Sequence, residues 1–147
     1  MNKAERAGLM TLFNSTTAGV HNDFWTDVNG RLFFNKAPVG TDLSDGPYAI
    51  FFSITEVNND TFTEEVRDDY IQFSLFSGEA SDDKILDMDT HLSTLLNGKH
   101  YSITGAIVRM LRQQSSGPNS ITEVTEAGAE SYSQTDVDYH FIIQSTV

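Results

Sequence analysis

Two patterns of acidic and histidine side chains in this sequence could in principle support catalysis or metal binding. Asp87 and His91 lie four residues apart, so on a helix they would face the same side. They could then act as a base with its orienting carboxylate, or as two metal ligands. Ordinary ion pairs on a helix surface have the same spacing, and no His-Glu-x-x-His motif accompanies this pair. The spacing therefore favours a solvated surface pair.

The second pattern is a set of carboxylate clusters. The four aspartates within residues 82–89 lack the alternate ligands, central glycine and closing glutamate of a calcium loop. Glu64-Glu65 and Asp68-Asp69 have no nucleophilic or basic neighbour suited to a catalytic carboxylate pair. His140 lies in an apolar stretch typical of a strand, where a structural histidine is the commoner case.

Glycine-rich phosphate loops, the Gly-x-Ser-x-Gly motif and cysteine are all absent from the sequence. We therefore expect no enzyme activity, no catalytic residues, no cofactor and no bound metal. Two alternatives stay open: a small acidic metal-dependent enzyme that uses Asp87 or His91, and a ligand-binding module with an exposed aromatic pocket.

The composition indicates one globular domain over residues 1–147. Hydrophobic residues make up 39% of the 147 positions and aromatic residues 11%, which is more than a disordered chain contains. The apolar runs are too short to cross a membrane, and the N-terminal residues lack the apolar stretch of a secretory signal. The net charge of −12 would repel DNA, so we expect no specific nucleic-acid partner.

The periodicity of apolar residues predicts an α+β fold with a largely antiparallel, possibly mixed, sheet and two helices packed on one face. The helices are predicted at residues 3–14 and 81–96. The strands are predicted at residues 31–35, 48–54, 66–76, 100–112, 120–126 and 136–144. Residues 113–135 are predicted to form a long polar hairpin, with turns or loops at 115–119 and 127–134. The predicted core comprises Phe51, Ile71, Phe73, Leu75, Leu92, Leu95, Ile103, Ile107 and Phe141.

The charged residues are unevenly distributed along the chain. Residues 99–112 carry three basic residues and no acid, whereas residues 56–69 carry six acids and one base. A basic surface on one subunit could contact an acidic surface on the next, and such head-to-tail contacts form rings when the rotation closes. The candidate interface residues are Lys99, Arg109, Arg112, Glu64 and Glu65.

The order of several short motifs resembles the tail-completion, or tail-terminator, family of long-tailed phages, which is related to the lambda-type tail terminator. The resemblance covers most of the chain, and its specificity lies in order and spacing. After the N-terminal helix, the matching blocks are Val28–Pro38, Gly46–Phe52, Asp69–Phe76, the small-residue turn Ser77–Ser81, the helix to Leu96 and the final strand Tyr139–Ile143.

The resemblance implies a non-enzymatic subunit of a phage or prophage particle. Such a subunit forms a hexameric ring that closes the head-proximal end of the tail tube and provides the surface to which the head joins. Its implied partners are further copies of itself, the major tail tube protein and the head–tail connector protein. Its implied location is the tail or neck of the virion, after assembly in the cytoplasm of the host bacterium. Another neck or minor tail protein, such as a head-completion protein, is the alternative.

Overall fold

The helices and strands form where apolar residues repeat with helical or alternating spacing. The structure, a computed structural model, describes residues 1–60, 64–79, 81–125 and 128–146. Within these ranges the helices are α1 (Lys3–Phe13), α2 (Asp23–Val28) and α3 (Asp83–Leu96), with a short 3-10 turn at Leu43–Asp45. The strands are β1 (Thr16–Thr17), β2 (Val20–His21), β3 (Leu32–Phe34), β4 (Tyr48–Asn58), β5 (Val66–Ser77), β6 (Lys99–Ile103), β7 (Ala106–Thr125) and β8 (Gly128–Ser145).

Six of these strands form one mixed sheet in the order β3-β4-β5-β8-β7-β6. The short edge strand β3 runs parallel to β4. The other neighbouring pairs, β4-β5, β5-β8, β8-β7 and β7-β6, are antiparallel. Strands β1 and β2 form a separate small hairpin. The predicted α+β class and the largely antiparallel sheet are confirmed.

The helices cover one face of the sheet, which we call the inner face; the opposite face is the outer face. Helix α3 packs across β5, β8 and β7, α1 packs against β6, and α2 lies between α3 and β4. The predictions of α1 and α3 are confirmed, but α2 was missed. Its six residues are too few to show a helical repeat, and only its Asn22 and Asn29 caps mark it.

Side-chain caps fix where the first two helices begin. Asn2 Oδ1 accepts the Glu5 backbone N–H at 2.9 Å, while the Glu5 carboxylate accepts the Asn2 backbone N–H at 2.8 Å. This reciprocal capping box satisfies donors that a helix start leaves unpaired. Asn22 caps α2 by accepting the Trp25 N–H at 2.9 Å. Each cap therefore fixes the residue at which its helix begins.

Aromatic side chains form the centre of the core between α1, α2 and the sheet. The ring of Phe73 lies 5.8 Å from Phe13, 5.6 Å from Phe51 and 5.6 Å from Tyr139, measured between centroids. Most of the predicted core is confirmed as buried: Phe51, Ile71, Phe73, Leu75, Leu92 and Phe141. Leu95 and Ile103 are only partly buried against this cluster.

The prediction of one strand over residues 100–112 is wrong, because a two-residue turn at Thr104-Gly105 divides it into β6 and β7. Gly105 takes a φ of 83°, which glycine adopts without steric cost. Because the hairpin pairs Tyr101 with Val108, even-numbered residues at the start of β7 share the inner face with odd-numbered residues of β6. Val108 and Met110 are therefore buried, whereas the predicted core residue Ile107 is half-buried on the outer face.

The predicted turn at 115–119 and the predicted loop at 127–134 are also strand. Residues 115–119 lie within β7, where the register with β8 shifts between Ser116 and Asn119. Gly117 is needed there, since a Cβ at that position would lie 2.8 Å from the Gln134 carbonyl oxygen. The same residue types that form turns can also form a β-bulge inside a strand, and here they do so. β8 begins at Gly128, and the predicted loop residue 127, together with Ala80 of the small-residue turn, lies outside the described residues.

Truncation of the core should destabilise the protein strongly. We expect Phe73→Ala to cost about 3–5 kcal/mol and Leu92→Ala about 2–5 kcal/mol in free energy of unfolding, because each leaves a cavity in a fully buried cluster. Urea titration followed by circular dichroism measures both losses. Leu86→Ala is the matched control on the exposed side of α3, and a core variant that unfolds like this control would contradict the assigned faces.

Stability should fall at alkaline pH partly through Tyr139. Burial raises the pKa of this phenol from its ordinary value of 10 to about 12. Because the folded state favours the neutral phenol, its contribution is complete below pH 10 and is lost as pH rises from 10 towards 12. Urea unfolding at pH 8 and pH 11 should show a smaller loss for Tyr139→Phe than for the wild type. If the two proteins lost the same unfolding free energy, the ionisation of Tyr139 would not contribute to the loss at alkaline pH.

Candidate interaction surface

Two of the predicted interface cations border one hollow at the β6 edge of the sheet. Lys99, at the start of β6, pairs with the inner-face residue Met110, whereas Arg109 of the neighbouring strand β7 pairs with His100 on the outer face; both cations are exposed. They line an open hollow of about 350 Å³ together with Gly98, His100, Met110, Leu111 and Ile142. Leu111 is 43% exposed, so the hollow, which we call the basic hollow, combines positive charge with apolar surface.

The third predicted cation, Arg112, does not join them. It faces the helices, and its guanidinium donates two hydrogen bonds to the Asp89 carboxylate of α3, at 2.5 and 2.9 Å. These bonds raise the pKa of Arg112. The alternation of side chains along β7 places Arg112 on the face opposite to Arg109. Arg112 therefore links α3 to the sheet within one chain.

The predicted interface acids lie at the start of β5. Glu64 and Glu65 are both exposed. The Gln144 side-chain amide donates to Glu64 at 3.2 Å, and the Glu65 carbonyl accepts the Ser145 N–H at 3.0 Å. The structure thus places these acids beside the last residues of β8.

A cluster of charged groups beneath α1 was not predicted. Asp69 is fully buried on the inner face; its carboxylate accepts the Ser53 hydroxyl at 2.5 Å and lies 2.7 Å from the Met1 amino group. Arg67 binds Glu5 and lies 2.9 Å from Glu56. The alternation that put Ile71, Phe73 and Leu75 in the core already placed residue 69 on the same face. The cluster ties α1 to β4 and β5.

The histidines with catalytic spacing have other partners in the fold. His91 Nδ1 lies 2.5 Å from Asp27 of α2, which also binds Lys84 at 2.8 Å, so Asp87 is not its partner. His140 stacks on Tyr70 with ring centroids 4.6 Å apart, and its Nε2 lies 2.7 Å from Asp68. These contacts join α2 to α3 and β5 to β8.

The remaining aspartates near α3 are dispersed. Asp82 accepts the Ser133 hydroxyl at 2.9 Å, Asp89 binds Arg112, and Asp83 and Asp87 are exposed. Across the described ranges no three His, Asp or Glu side chains are grouped so that they could hold a metal ion. No helix in the same ranges is long and apolar enough to cross a membrane.

Aromatic residues form a strip across four strands of the outer face. Tyr48 stacks on Phe76 with centroids 4.8 Å apart; Phe33 lies 6.3 Å from Tyr48, and Tyr132 lies 6.1 Å from Phe76. The Arg31 guanidinium lies 5.5 Å from the centre of the Tyr48 ring. All four rings are half-buried. Aromatic and arginine side chains are enriched in protein interfaces.

The ends of β7 and β8 extend beyond the rest of the sheet. Strand β5 pairs with β8 only as far as Ser77 opposite Ser133. Beyond that point, residues 121–125 and 128–132 pair only with each other, and we call this two-stranded ribbon the arm. The five arm residues of β8, 128–132, give the arm a length of about 17 Å. In it, Glu123 lies directly opposite Glu130.

Comparisons with known proteins identify a fold relative. No protein-family model matches the chain, and no curated protein matches it in sequence. Among solved structures, the chain is similar to one from the "Virion of native gene transfer agent (GTA) particle". The TM-score is 0.65 with 12% sequence identity, and the match covers 97% of this chain and 96% of that chain. At this identity the two chains share a fold.

The two arginines of β7 should respond differently to charge reversal. Arg112→Glu breaks the bidentate contact with Asp89 and sets two carboxylates together, so we expect a loss of about 1–3 kcal/mol in free energy of unfolding. Arg109→Glu, at an exposed position on the same strand, should change it by less than about 0.5 kcal/mol. Chemical denaturation measures both, and equal losses would contradict the distinct roles assigned to the two side chains.

Proposed function

We propose that this chain is a non-enzymatic structural subunit of a phage or phage-like particle, and specifically a tail-terminator subunit. The likeness in fold to a chain of a gene transfer agent virion, over nearly the whole of both chains, carries this proposal. The order of motifs that resembles the tail-completion family supports it independently. The fold similarity by itself does not specify an activity.

The contacts of the polar side chains favour an assembly role over catalysis. Asp27 with His91, and Asp68 with His140, are carboxylate–histidine pairs that join separate elements of the fold. Because each pair connects two elements of the fold, each has a structural role. The outer face and the β6 edge of the sheet, in contrast, offer an aromatic strip and a basic hollow, which suit contacts with other proteins.

In this proposal six copies form a ring at the head-proximal end of the tail tube. One side of the ring contacts the major tail tube protein and the other contacts the head–tail connector protein. Lys99 and Arg109 of each subunit contact acidic residues of its neighbour, for which Glu64 and Glu65 are one candidate set. Arg112 contributes indirectly by holding α3 on the sheet. The subunit would assemble in the bacterial cytoplasm and remain in the neck of the virion.

Deletion of the gene from its phage or prophage tests this role. Because the terminator ring supplies the joining surface, heads and tails should accumulate separately when the subunit is missing, and a plasmid copy should restore joined particles. Electron microscopy of lysates measures the joined fraction. Joined particles at wild-type yield without the gene would overturn the proposal.

Immunogold labelling of the separated parts then locates the subunit. In cells that lack the head–tail connector protein, heads and tails stay separate while a tagged wild-type copy is present, and label at the head-proximal end of tails is the expected result. Label on heads alone would instead identify a head-completion protein. Light scattering and negative-stain images of the purified wild-type subunit show whether the ring forms without the tail.

A further inference from the structure

We propose that the arm of one subunit docks in the basic hollow of the next copy, where Lys99 and Arg109 bind the Glu123 and Glu130 carboxylates. This inference rests on the proposed ring-forming function and names the contact that would close the ring. It assigns a partner to two surfaces that the fold of a single chain leaves exposed.

The arm needs a partner for two physical reasons. Tyr132 packs on Phe76 at the base of the arm, but no third strand pairs with the arm beyond it, and a two-stranded ribbon of this kind is marginal in water. Glu123 and Glu130 are also directly opposite each other, and like charges at such a position destabilise strand pairing. The Tyr132 hydroxyl donates to Glu123 at 3.1 Å, but within the described residues no cation reaches either carboxylate. Two basic groups from another molecule would remove this repulsion.

The basic hollow has the matching composition. Lys99 and Arg109 have no ion-pair partner among the described residues, although the chain carries more than twice as many acids as bases. Leu111 and Ile142 add apolar surface beside the two cations. On the arm, Ile121 and Tyr132 flank the glutamates on the same side of the ribbon. Charge and apolar area are therefore paired in the same way on both surfaces.

The arm cannot reach the hollow of its own chain. Arg109 lies opposite Ile142 in the sheet, and Glu130 lies twelve residues from Ile142 along the same strand. At about 3.3 Å per residue, roughly 40 Å of strand separates them. A subunit of this size has a radius of gyration of about 15 Å, so an arm about 17 Å long extends far enough to contact an adjacent copy. The acceptor must therefore belong to a second molecule.

The same geometry favours the arm over Glu64 and Glu65 as the partner of the basic hollow. Glu65 bonds to Ser145, which lies opposite Ala106, only three residues from Arg109. These acids and the basic hollow thus occupy the same end of the sheet. A head-to-tail ring requires two different surfaces on separate sides of each subunit. The arm and the hollow, at opposite ends of β7, meet that requirement.

Disulfide trapping in assembled particles tests the contact directly, because the chain contains no cysteine of its own. Two tagged copies are co-expressed, one with Glu130→Cys and the other with Arg109→Cys, and oxidised particles are analysed by electrophoresis. A covalent dimer that contains both tags and disappears on reduction is expected. The matched control replaces Glu130→Cys with Glu65→Cys and should give no dimer. A dimer only in the control, or in neither sample, would overturn the arm contact.

Charge exchange provides the second test. The variant Glu123→Lys with Glu130→Lys should lose joining, and adding Lys99→Glu and Arg109→Glu to the same chain should restore it. Reversal at Glu64 and Glu65 in place of the arm should give no such rescue. Thermal melting of each purified variant separates folding defects from docking defects. Rescue by reversal at Glu64 and Glu65 alone would contradict the contact between the arm and the basic hollow.

Whether the subunit is present in purified particles distinguishes a failure of the arm contact from a failure of the proposed function. Mass spectrometry of purified particles first establishes whether the wild-type subunit is present. Its absence from particles would overturn the terminator function and the ring contact together. Its presence without the arm cross-link would overturn the arm contact alone.

Discussion

The burial of one face of the sheet is the constraint on which the other features of this structure depend. Phe51, Phe73 and Tyr139 lie side by side on the inner face, and α2 and α3 cover the strands that carry them. Since side chains alternate along a strand, fixing these three inside also fixes their neighbours on the outer face. The aromatic strip and the position of Arg109 on the outer face are consequences of that alternation. An interface built on such a face is held rigidly by the core beneath it.

Polar contacts complete the attachment of the helices where the apolar core ends. Arg112 with Asp89 holds α3, the Asp27 contacts join α2 to α3, and the cluster around Asp69 anchors the start of α1. Buried carboxylates are costly unless they are paired, so each of these contacts restricts the arrangement that the helices can adopt. Most of the charged residues that sequence patterns single out for chemistry are used in this way.

In the part of the chain that the structure describes, a single copy leaves three surfaces exposed. They are the two-stranded arm, the unpaired edge of β6 and the basic hollow. In the proposed ring, association would therefore depend on charge and on the rigidity of β7 and β8 more than on any rearrangement of the core.

The sequence alone determined the class of fold, most of the core and the two longer helices. Alternation at Ile71, Phe73 and Leu75 and helical spacing from Ile85 to Leu96 are local signals, and burial on one face follows from them. The tertiary structure decided what local signals leave ambiguous. Thr104-Gly105 forms a hairpin turn and Gly117-Pro118 a bulge, because pairing with β8 determines which use of turn-forming residues is stable. Which of Arg109 and Arg112 faces the helices likewise depends on long-range pairing, since only the fold buries that face of β7 and brings Asp89 within reach of Arg112.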